Sequence, residues 1–523
     1  MSPPGPTLSP RSQNVLLLAI FLTVLWVTGV WFFSRNNGFP VYYHPDEVSK
    51  GQQIVSGELN FRHPLLLLNT ARMLLELSGE PRTPENAVMA GRRASAIFTS
   101  SAVVFLVLLA WRRGGWQAGL LAAALLPLHP LIFELAHYCK EDPALLFGLS
   151  LGFLAADVFI EHPNAATAAF LGMAAGFAVS GKYVGVAFLA VALPVLFWKG
   201  KREPRRLMTM MAAFLATLFA VIALINLPYF QDPSALRNGL NYELDAAAKG
   251  GRKGLSRDVP HSQYLGFFRS NFAYPLRAAI LVFLLHCIFK KKERRTTDWL
   301  LLIFSLAYTL MLSFSPKTAG RYFLAVSPLF ALAGVFGVVW FGEFFPKQNR
   351  SARASLICAF AAAVVAFQLG RLIPSYRGFQ RDARREMTQW IAANLPPRSH
   401  ILSETRVHLS KTGTWGDAIR QDLRIEETPF LGDAGKLSDL NTKGVRYFVT
   451  VSTNYGSFVN KKRIAARKDL ENQRQRRTAF YQELFDRGKL LQKTGGQAAV
   501  GTLNPEIRLY EVPENIPLPS SDA

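Results

Sequence analysis

The chain has few cysteines. Its 523 residues include three, Cys139, Cys287 and Cys358. The last two lie within apolar runs, so neither a disulfide framework nor the paired spacing of a zinc site is available. The sequence also lacks a phosphate-binding GxxxxGK(S/T) loop, and no GxGxxG turn follows a predicted strand, which argues against nucleotide binding.

Acidic residues are scarce as well. The chain has 36 Asp and Glu against 59 Lys and Arg, which gives a net charge of +23. In a soluble protein such an excess would favour nucleic-acid binding. Here much of the charge lies in short loops between hydrophobic runs, so we predict no nucleic-acid partner.

Long hydrophobic runs are abundant, and 50% of the residues are hydrophobic. Many runs reach the roughly 20 apolar residues that span a bilayer. The fold class predicted is therefore an all-α polytopic membrane domain followed by a small α/β domain. About eleven spans are expected, at residues 14–33, 94–111, 116–133, 143–160, 165–179, 184–198, 207–227, 272–289, 299–314, 322–341 and 354–372.

The distribution of loop charge indicates an orientation. Lys and Arg concentrate in cytoplasmic loops, and alternate loops of this chain, such as 199–206, 290–295 and 347–353, are strongly basic. We expect a cytoplasmic N-terminus and an extracytoplasmic C-terminal domain in a multi-pass plasma membrane protein. The first span is expected to be an uncleaved helix, because bulky Trp31, Phe32 and Phe33 stand where a signal peptide would have small residues.

Three regions are predicted: a disordered N-terminus at residues 1–13, a transmembrane domain at 14–372 and an extracytoplasmic domain at 373–523. Residues 65–77 favour an amphipathic interfacial helix. The C-terminal region has helix-like patterns and apolar strand patterns. Helices are expected at 384–393 and 460–485, and strands at 400–403, 445–451 and 507–512.

Two outer loops contain acidic residues beside histidine and tyrosine. Val41-Tyr42-Tyr43-His44-Pro45-Asp46-Glu47 follows the first span, and Glu134 to Asp142 includes His137, Tyr138, Lys140 and Glu141. A structural alternative is that Asp46 caps a helix beginning near Val48 and that Asp142 caps a helix whose first residue is Pro143. Two such loops on one face favour a shared polar site.

Several cations lie at the same predicted face. Lys182 interrupts an apolar stretch, Lys317 and Arg321 occupy a tight outer loop, and Arg92 precedes the second span. Each could simply snorkel to the interface, but Lys and Arg together also suit a phosphate. Carboxylates near such cations suit group transfer from a phosphate-linked donor. The sequence identifies no cofactor, and a divalent Mg or Mn ion held by Asp46 and Glu141 stays open as an alternative.

The chain resembles the polyprenyl-phosphate-dependent membrane glycosyltransferases of the GT-C fold, which include protein O-mannosyltransferases and lipid A aminoarabinose transferases. The resemblance rests on motifs that occur in the family's order along most of the chain. They are His44-Pro45-Asp46-Glu47, Phe61-Arg62-His63-Pro64-Leu65, Glu141-Asp142-Pro143, Ser180-Gly181-Lys182-Tyr183, Arg321-Tyr322-Phe323-Leu324 and Trp390-Ile391-Ala392-Ala393-Asn394-Leu395-Pro396.

The resemblance implies an inverting sugar transfer from a polyprenyl-phosphate donor at the outer face. Asp46 would be the general base, with Glu47 in support. The acceptor or sugar would be bound by residues that the motifs supply, namely His44, His63, Glu141, Asp142, His261 and Tyr264. The donor phosphate would face Arg92, Lys182, Lys317 and Arg321. The acceptor could be lipid, glycan or protein, and the chain lacks the β-trefoil-like tail of protein mannosyltransferases.

The sequence leaves three alternatives to a membrane glycosyltransferase of this kind. A lipid-polysaccharide ligase or pentose transferase could share the fold. A transporter or flippase of lipid-linked sugars would need polar residues and broken helices at mid-membrane, whereas the ionisable residues here cluster at one face. A non-catalytic assembly subunit could retain Asp46 without activity.

Overall fold

The computed structural model describes residues 10–37, 43–44, 46–257, 260–289, 296–317, 319–341, 350–380, 382–409, 420–460, 463–496 and 504–513. The predictions for Val41, Tyr42, Pro45 and most of the N-terminal segment lie outside these residues. For His261 only the backbone is described.

Helices form most of the structure up to Gly378. Those of the first half are α1 Pro10–Ser34, α2 Asp46–Ser56, α3 Leu66–Ser78, α4 Pro84–Leu125, α5 Pro130–Ala136, α6 Asp142–Glu161, α7 Ala165–Gly181, α8 Leu189–Gly200 and α9 Pro204–Ile225. Those that follow are α10 Pro228–Gln231, α11 Pro233–Ala248, α12 Pro260–Asn271, α13 Tyr274–Phe289, α14 Thr296–Ser313, α15 Ser327–Phe341 and α16 Arg350–Gly378.

Among the described residues, seven helical segments are long and apolar enough to cross a membrane. They lie at Asn14–Ser34, Pro84–Leu128, Asp142–Glu161, Tyr183–Gly200, Pro204–Ile225, Thr296–Ser313 and Ala354–Asn394. A bent pair, Tyr264–Asn271 with Tyr274–Phe289, gives an eighth candidate, and α7 and α15 are shorter apolar helices. The predicted multi-pass helical membrane protein is confirmed, whereas the count of eleven spans stays a prediction.

Some expected spans have different boundaries. The span expected at 116–133 is divided among the end of α4, a 3₁₀ turn at Leu126–Leu128 and α5. Helix α4 itself is kinked at Gly115, whose φ of 73° is a conformation that glycine adopts without strain. The span expected from Tyr322 begins as a 3₁₀ helix, Gly320–Ala325, before α15. Helix α16 also continues to Gly378, past the expected domain boundary.

Close helix packing shapes the membrane region. Gly148 and Gly172 allow α7 to approach α6 and α9, because a Cβ at either position would lie less than 2.5 Å from backbone atoms of the neighbouring helix. One large core joins these helices to α4 and α15, with fully buried Phe153, Phe188 and Phe214. This rigid packing supports the loops at the end of the bundle where α2 begins.

The C-terminal region adds helices and a sheet. The helices are α17 Ala383–Asn394, α18 Leu437–Thr442, α19 Ser452–Phe458 and α20 Glu471–Arg487. The strands are β1 Leu255–Arg257, β2 His400–Glu404, β3 Arg424–Thr428, β4 Tyr447–Val451, β5 Arg463–Ala465, β6 Lys489–Thr494 and β7 Ile507–Glu511. The order of the larger sheet is β3-β2-β4-β7-β6. Strands β3, β2 and β4 are parallel, β7 is antiparallel to β4, and β6 is antiparallel to β7. The predicted α/β class is confirmed.

The expected helix at 384–393 and the strands at 400–403, 445–451 and 507–512 match α17, β2, β4 and β7 closely. The helix expected over 460–485 is wrong in its first half, where β5 precedes a 3₁₀ turn and α20 begins at Glu471. Strand β5 pairs with β1 from the membrane region. Partners distant in sequence therefore override the helical propensity of this basic stretch.

Candidate active site

Helix α2 presents Asp46 at the edge of the bundle. The helix begins at Asp46 itself rather than near Val48, and the Asp46 amide donates a 3.1 Å hydrogen bond to His44 Nδ1. The Asp46 side chain is 45% exposed, although its neighbours are buried. The first acidic loop therefore offers one accessible carboxylate.

Glu47 has a different environment. Its carboxylate is fully buried and receives Arg92 Nε at 3.0 Å and Arg92 Nη2 at 2.8 Å. It also accepts the backbone N–H groups of Tyr43 at 2.7 Å and Cys139 at 2.8 Å. Glu47 and Arg92 thus bind each other and tie the two acidic loops together. In this placement the two side chains hold each other, while the catalytic role expected for Glu47 and the phosphate contact expected for Arg92 stay predictions.

The second acidic loop lies beside Asp46. The Lys140 ammonium contacts Asp46 Oδ2 and lies 3.6 Å from Glu141 Oε2. Glu141 also contacts the Lys50 ammonium and lies 3.9 Å from His63 Nε2. These residues form an alternating network of carboxylates and ammonium groups, and in it Asp46 is the most exposed group.

Asp142 extends the network to the break between two apolar helices. It is the first residue of α6, and its Oδ1 receives Lys182 Nζ at 2.7 Å. The N-cap of α6 is Glu141, which makes no side-chain capping bond, so the capping role expected for Asp142 is wrong. Lys182 itself lies between α7 and a 3₁₀ helix, 5.0 Å from the Tyr322 ring centroid.

Arg321 and Lys317 approach from the loop before α15. Burial would lower the pKa of Arg321, but Tyr322 and the carboxylates of Asp46 and Asp142 raise it above its ordinary value. The Arg321 guanidinium therefore interacts electrostatically with carboxylates of both acidic loops. Lys317 forms a 2.7 Å ion pair with Glu243 of α11.

Protonation states follow from these contacts. Burial alone would raise the pKa of Asp46, but the Lys140 ammonium holds that pKa well below its ordinary value. Burial holds the pKa values of His44 and His63 well below the usual range, so both imidazoles are neutral near pH 7. Asp46 is therefore an ionised carboxylate next to neutral imidazoles.

The carboxylates do not fit a divalent ion. Asp46 and Glu141 already contact ammonium groups. Among the residues that the structure describes, no group of three or more His, Cys, Asp or Glu side chains could hold a metal.

Tyr264 lies on the Arg321 side of this network, because its phenol interacts electrostatically with Arg321 and Tyr322. Tyr264 is buried and packs against Phe267 and Phe323, with ring centroids 5.6 and 6.2 Å away. The side chain of His261 lies outside the described residues.

Conversely, three members of the site were not predicted: Lys50, Lys140 and Glu243. A sequence signal existed for Lys50, which follows Asp46 by four positions and so shares its helix face. Lys140 is adjacent to the predicted pair Glu141 and Asp142, so its position alone could have suggested it.

One family of known proteins matches part of the chain. Residues 69–230 match the model of the dolichyl-phosphate-mannose-protein mannosyltransferase family. No curated protein matches the chain. The matched range contains Glu141, Asp142 and Lys182 of the network.

Solved structures that are similar to this chain have low sequence identity with it. The archaeal oligosaccharyltransferase AglB from Archaeoglobus fulgidus, in complex with an inhibitory peptide and a dolichol-phosphate, has a TM-score of 0.50 at 11% identity and covers 84% of this chain and 71% of its own. ArnT from Cupriavidus metallidurans bound to undecaprenyl phosphate has a TM-score of 0.49 at 15% identity and covers 97% and 100%. The Pmt1-Pmt2 complex of S. cerevisiae, bound to the sugar donor, has a TM-score of 0.34 at 19% identity and covers 44% and 35%.

The helical membrane architecture and the C-terminal sheet thus define a membrane protein of the GT-C fold class. Residues 69–230 also match the model of the dolichyl-phosphate-mannose-protein mannosyltransferases, so this part of the chain is similar to a family of glycosyltransferases. The resemblance noted from the motifs is confirmed.

Proposed function

We propose that the protein transfers a sugar from a polyprenyl-phosphate donor to an acceptor hydroxyl, with inversion, and that Asp46 is the general base. The observation that carries this proposal is the environment of Asp46. It is an accessible, ionised carboxylate at the edge of a network of buried cations. Such a group can accept a proton from a hydroxyl that approaches from solvent.

The reaction balances without an additional reagent. The acceptor oxygen forms a bond to the anomeric carbon of the sugar, and the bond from that carbon to the phosphate oxygen breaks. The electron pair leaves with the polyprenyl phosphate, and the acceptor proton passes to Asp46. A weakly basic carboxylate suffices, because the hydroxyl becomes strongly acidic as its oxygen bonds to carbon.

The charges of the site suit such a donor. Lysine and arginine side chains face three carboxylates, so positive charge balances or exceeds negative charge in the network. The cations are Lys140, Lys182 and Arg321, with Lys50 partly protonated because burial lowers its pKa to about 7, and the carboxylates are Asp46, Glu141 and Asp142. A sugar phosphodiester carries one negative charge, and the departing phosphate gains more. Lys182 and Arg321 are the cations that we assign to this phosphate.

The test is an assay with purified protein, polyprenyl-phosphate sugars and candidate lipid, glycan and peptide acceptors. Asp46→Asn should reduce kcat by about 10²–10⁴-fold, the usual contribution of a general base. The matched control is Asp245→Asn, whose carboxylate is exposed beside Lys249. Normal turnover by a folded Asp46→Asn variant would exclude Asp46 as the base.

We further propose that the site opens on the extracytoplasmic face of the plasma membrane of a bacterium. The basic loops between other spans support this orientation through the positive-inside rule. A compartment reporter fused after Ser403, in β2, should report an extracytoplasmic location. A cytoplasmic signal would overturn the orientation.

A further inference from the structure

The Lys140 ammonium lies between carboxylates from two different loops. It contacts Asp46 Oδ2 and lies 3.6 Å from Glu141 Oε2, and its side chain is 3% exposed. Asp46 comes from the start of α2, whereas Glu141 immediately precedes α6. Two convergent carboxylates that face a phosphate-binding region are the usual ligands of a hard divalent cation.

We propose that the Lys140 ammonium takes the place of a divalent cation in this site and makes sugar transfer independent of metal. This inference rests on the proposed transferase function. Lys140 is a positioning residue, because it acts through Asp46 and Glu141 and needs no contact with the reacting atoms.

The physical reason is repulsion between the acidic loops. Without a cation between them, the Asp46 and Glu141 carboxylates would repel each other, and one would either take up a proton or turn away. An ammonium is a compact point charge that can satisfy both carboxylates. Because it is covalently attached to the chain, a chelator cannot remove it.

Lys50 cannot replace Lys140 in this role. Its ammonium contacts Glu141 Oε1, on the side of that carboxylate where His63 lies 3.9 Å away. Within the part of the chain that the structure describes, the ammonium in contact with Asp46 is that of Lys140. Removal of the Lys140 ammonium should therefore free Asp46 and one oxygen of Glu141 for an external cation.

The experiment uses the full-length protein in detergent after treatment with EDTA. Wild-type transfer should be unaffected by EDTA and by added Mn²⁺. In EDTA, Lys140→Ala should transfer sugar about tenfold or more slowly than wild type. Added Mn²⁺ should then raise the transfer rate of this variant several-fold. Lys140→Arg should retain most of the activity because it keeps the positive charge. Lys249→Ala, which removes an exposed lysine paired with Asp245, should behave as wild type.

A second measurement does not require turnover. Electron paramagnetic resonance of Mn²⁺ should show binding to Lys140→Ala, no binding to wild type, and no binding to the double variant Asp46→Asn with Lys140→Ala. The proposal is overturned if EDTA abolishes wild-type transfer and Mn²⁺ restores it, if Lys140→Ala keeps full activity in EDTA, or if that variant binds no Mn²⁺. Failure of wild type to transfer any sugar would count against the proposed function, while the resonance experiment would still decide the role of Lys140.

Discussion

At the scale of single residues, adjacent positions have opposite environments. Asp46 is accessible, whereas the next residue, Glu47, is fully buried with Arg92. The same contrast holds for Arg92 and Arg93, because Arg93 forms a half-exposed ion pair with Glu80. The accessible carboxylate can meet a substrate, while the buried pair fixes the loop that carries it.

This contrast predicts unequal losses of stability. Arg92→Met should lower the free energy of unfolding by about 3–5 kcal/mol, because it leaves the Glu47 carboxylate buried without its partner. Arg93→Met is the matched control and should cost about 1 kcal/mol or less. Thermal unfolding of the two variants in detergent measures the difference. Equal losses would mean that the Glu47 pair does not stabilise the loop.

The sequence could predict Asp46, Glu141, Asp142, Lys182 and Arg321, because a charged residue beside a membrane span has few structural uses. It could not show that Glu47 binds Arg92, since the two positions are far apart in the chain and each also suited a substrate. The role of Lys140 likewise depends on the packing of α2 against the loop before α6. Pairing between distant loops is a property of the folded chain.

At the scale of elements, the close approach of α6 and α7 positions Lys182, the cation that we propose faces the donor phosphate. Helix α7 ends at Gly181, where a Cβ would lie 2.6 Å from the Ala144 carbonyl oxygen of α6. Lys182 follows directly and reaches Asp142 at the start of α6. A glycine at the crossing therefore lets the two charged groups meet.

Gly181→Ala should separate the two helices and weaken the contact of Lys182 with Asp142. We expect kcat/KM for the polyprenyl-phosphate sugar to fall by about tenfold or more, since a displacement near 1 Å is costly in a transferase site. Gly370→Ala in α16 is the control, because no atom lies within 4 Å of its Cβ position. If Gly181→Ala kept wild-type kinetics, the crossing would not position Lys182.

At the scale of the whole molecule, the C-terminal region is joined to the membrane region at more than one place. Strand β1 pairs with β5, with Leu255 opposite Ala465 and Arg257 opposite Arg463. Lys253 Nζ donates to the Thr453 carbonyl and, at 2.8 Å, to Ser457 Oγ of α19. At the acidic loop, Phe379 packs edge-on against Tyr43, with ring centroids 5.0 Å apart.

Lys253→Met should loosen this attachment, because it removes the ammonium that donates to the Thr453 carbonyl and to Ser457 Oγ, at a cost of about 1 kcal/mol. Limited proteolysis should then release the C-terminal region several-fold faster than in wild type. Lys249→Met, at an exposed ion pair with Asp245, should not change the rate. Unchanged cleavage of Lys253→Met would show that other contacts suffice.

The pairing of β1 with β5 also has a consequence for biosynthesis. Lys253 and its partner Thr453 are 200 positions apart, and a chain is synthesised from its N-terminus at about 5–20 residues per second. The segment around β1 must therefore wait, in the time order of translation, for the much later synthesis of β5. A nascent chain interrupted before β5 would lack the strand that pairs with β1.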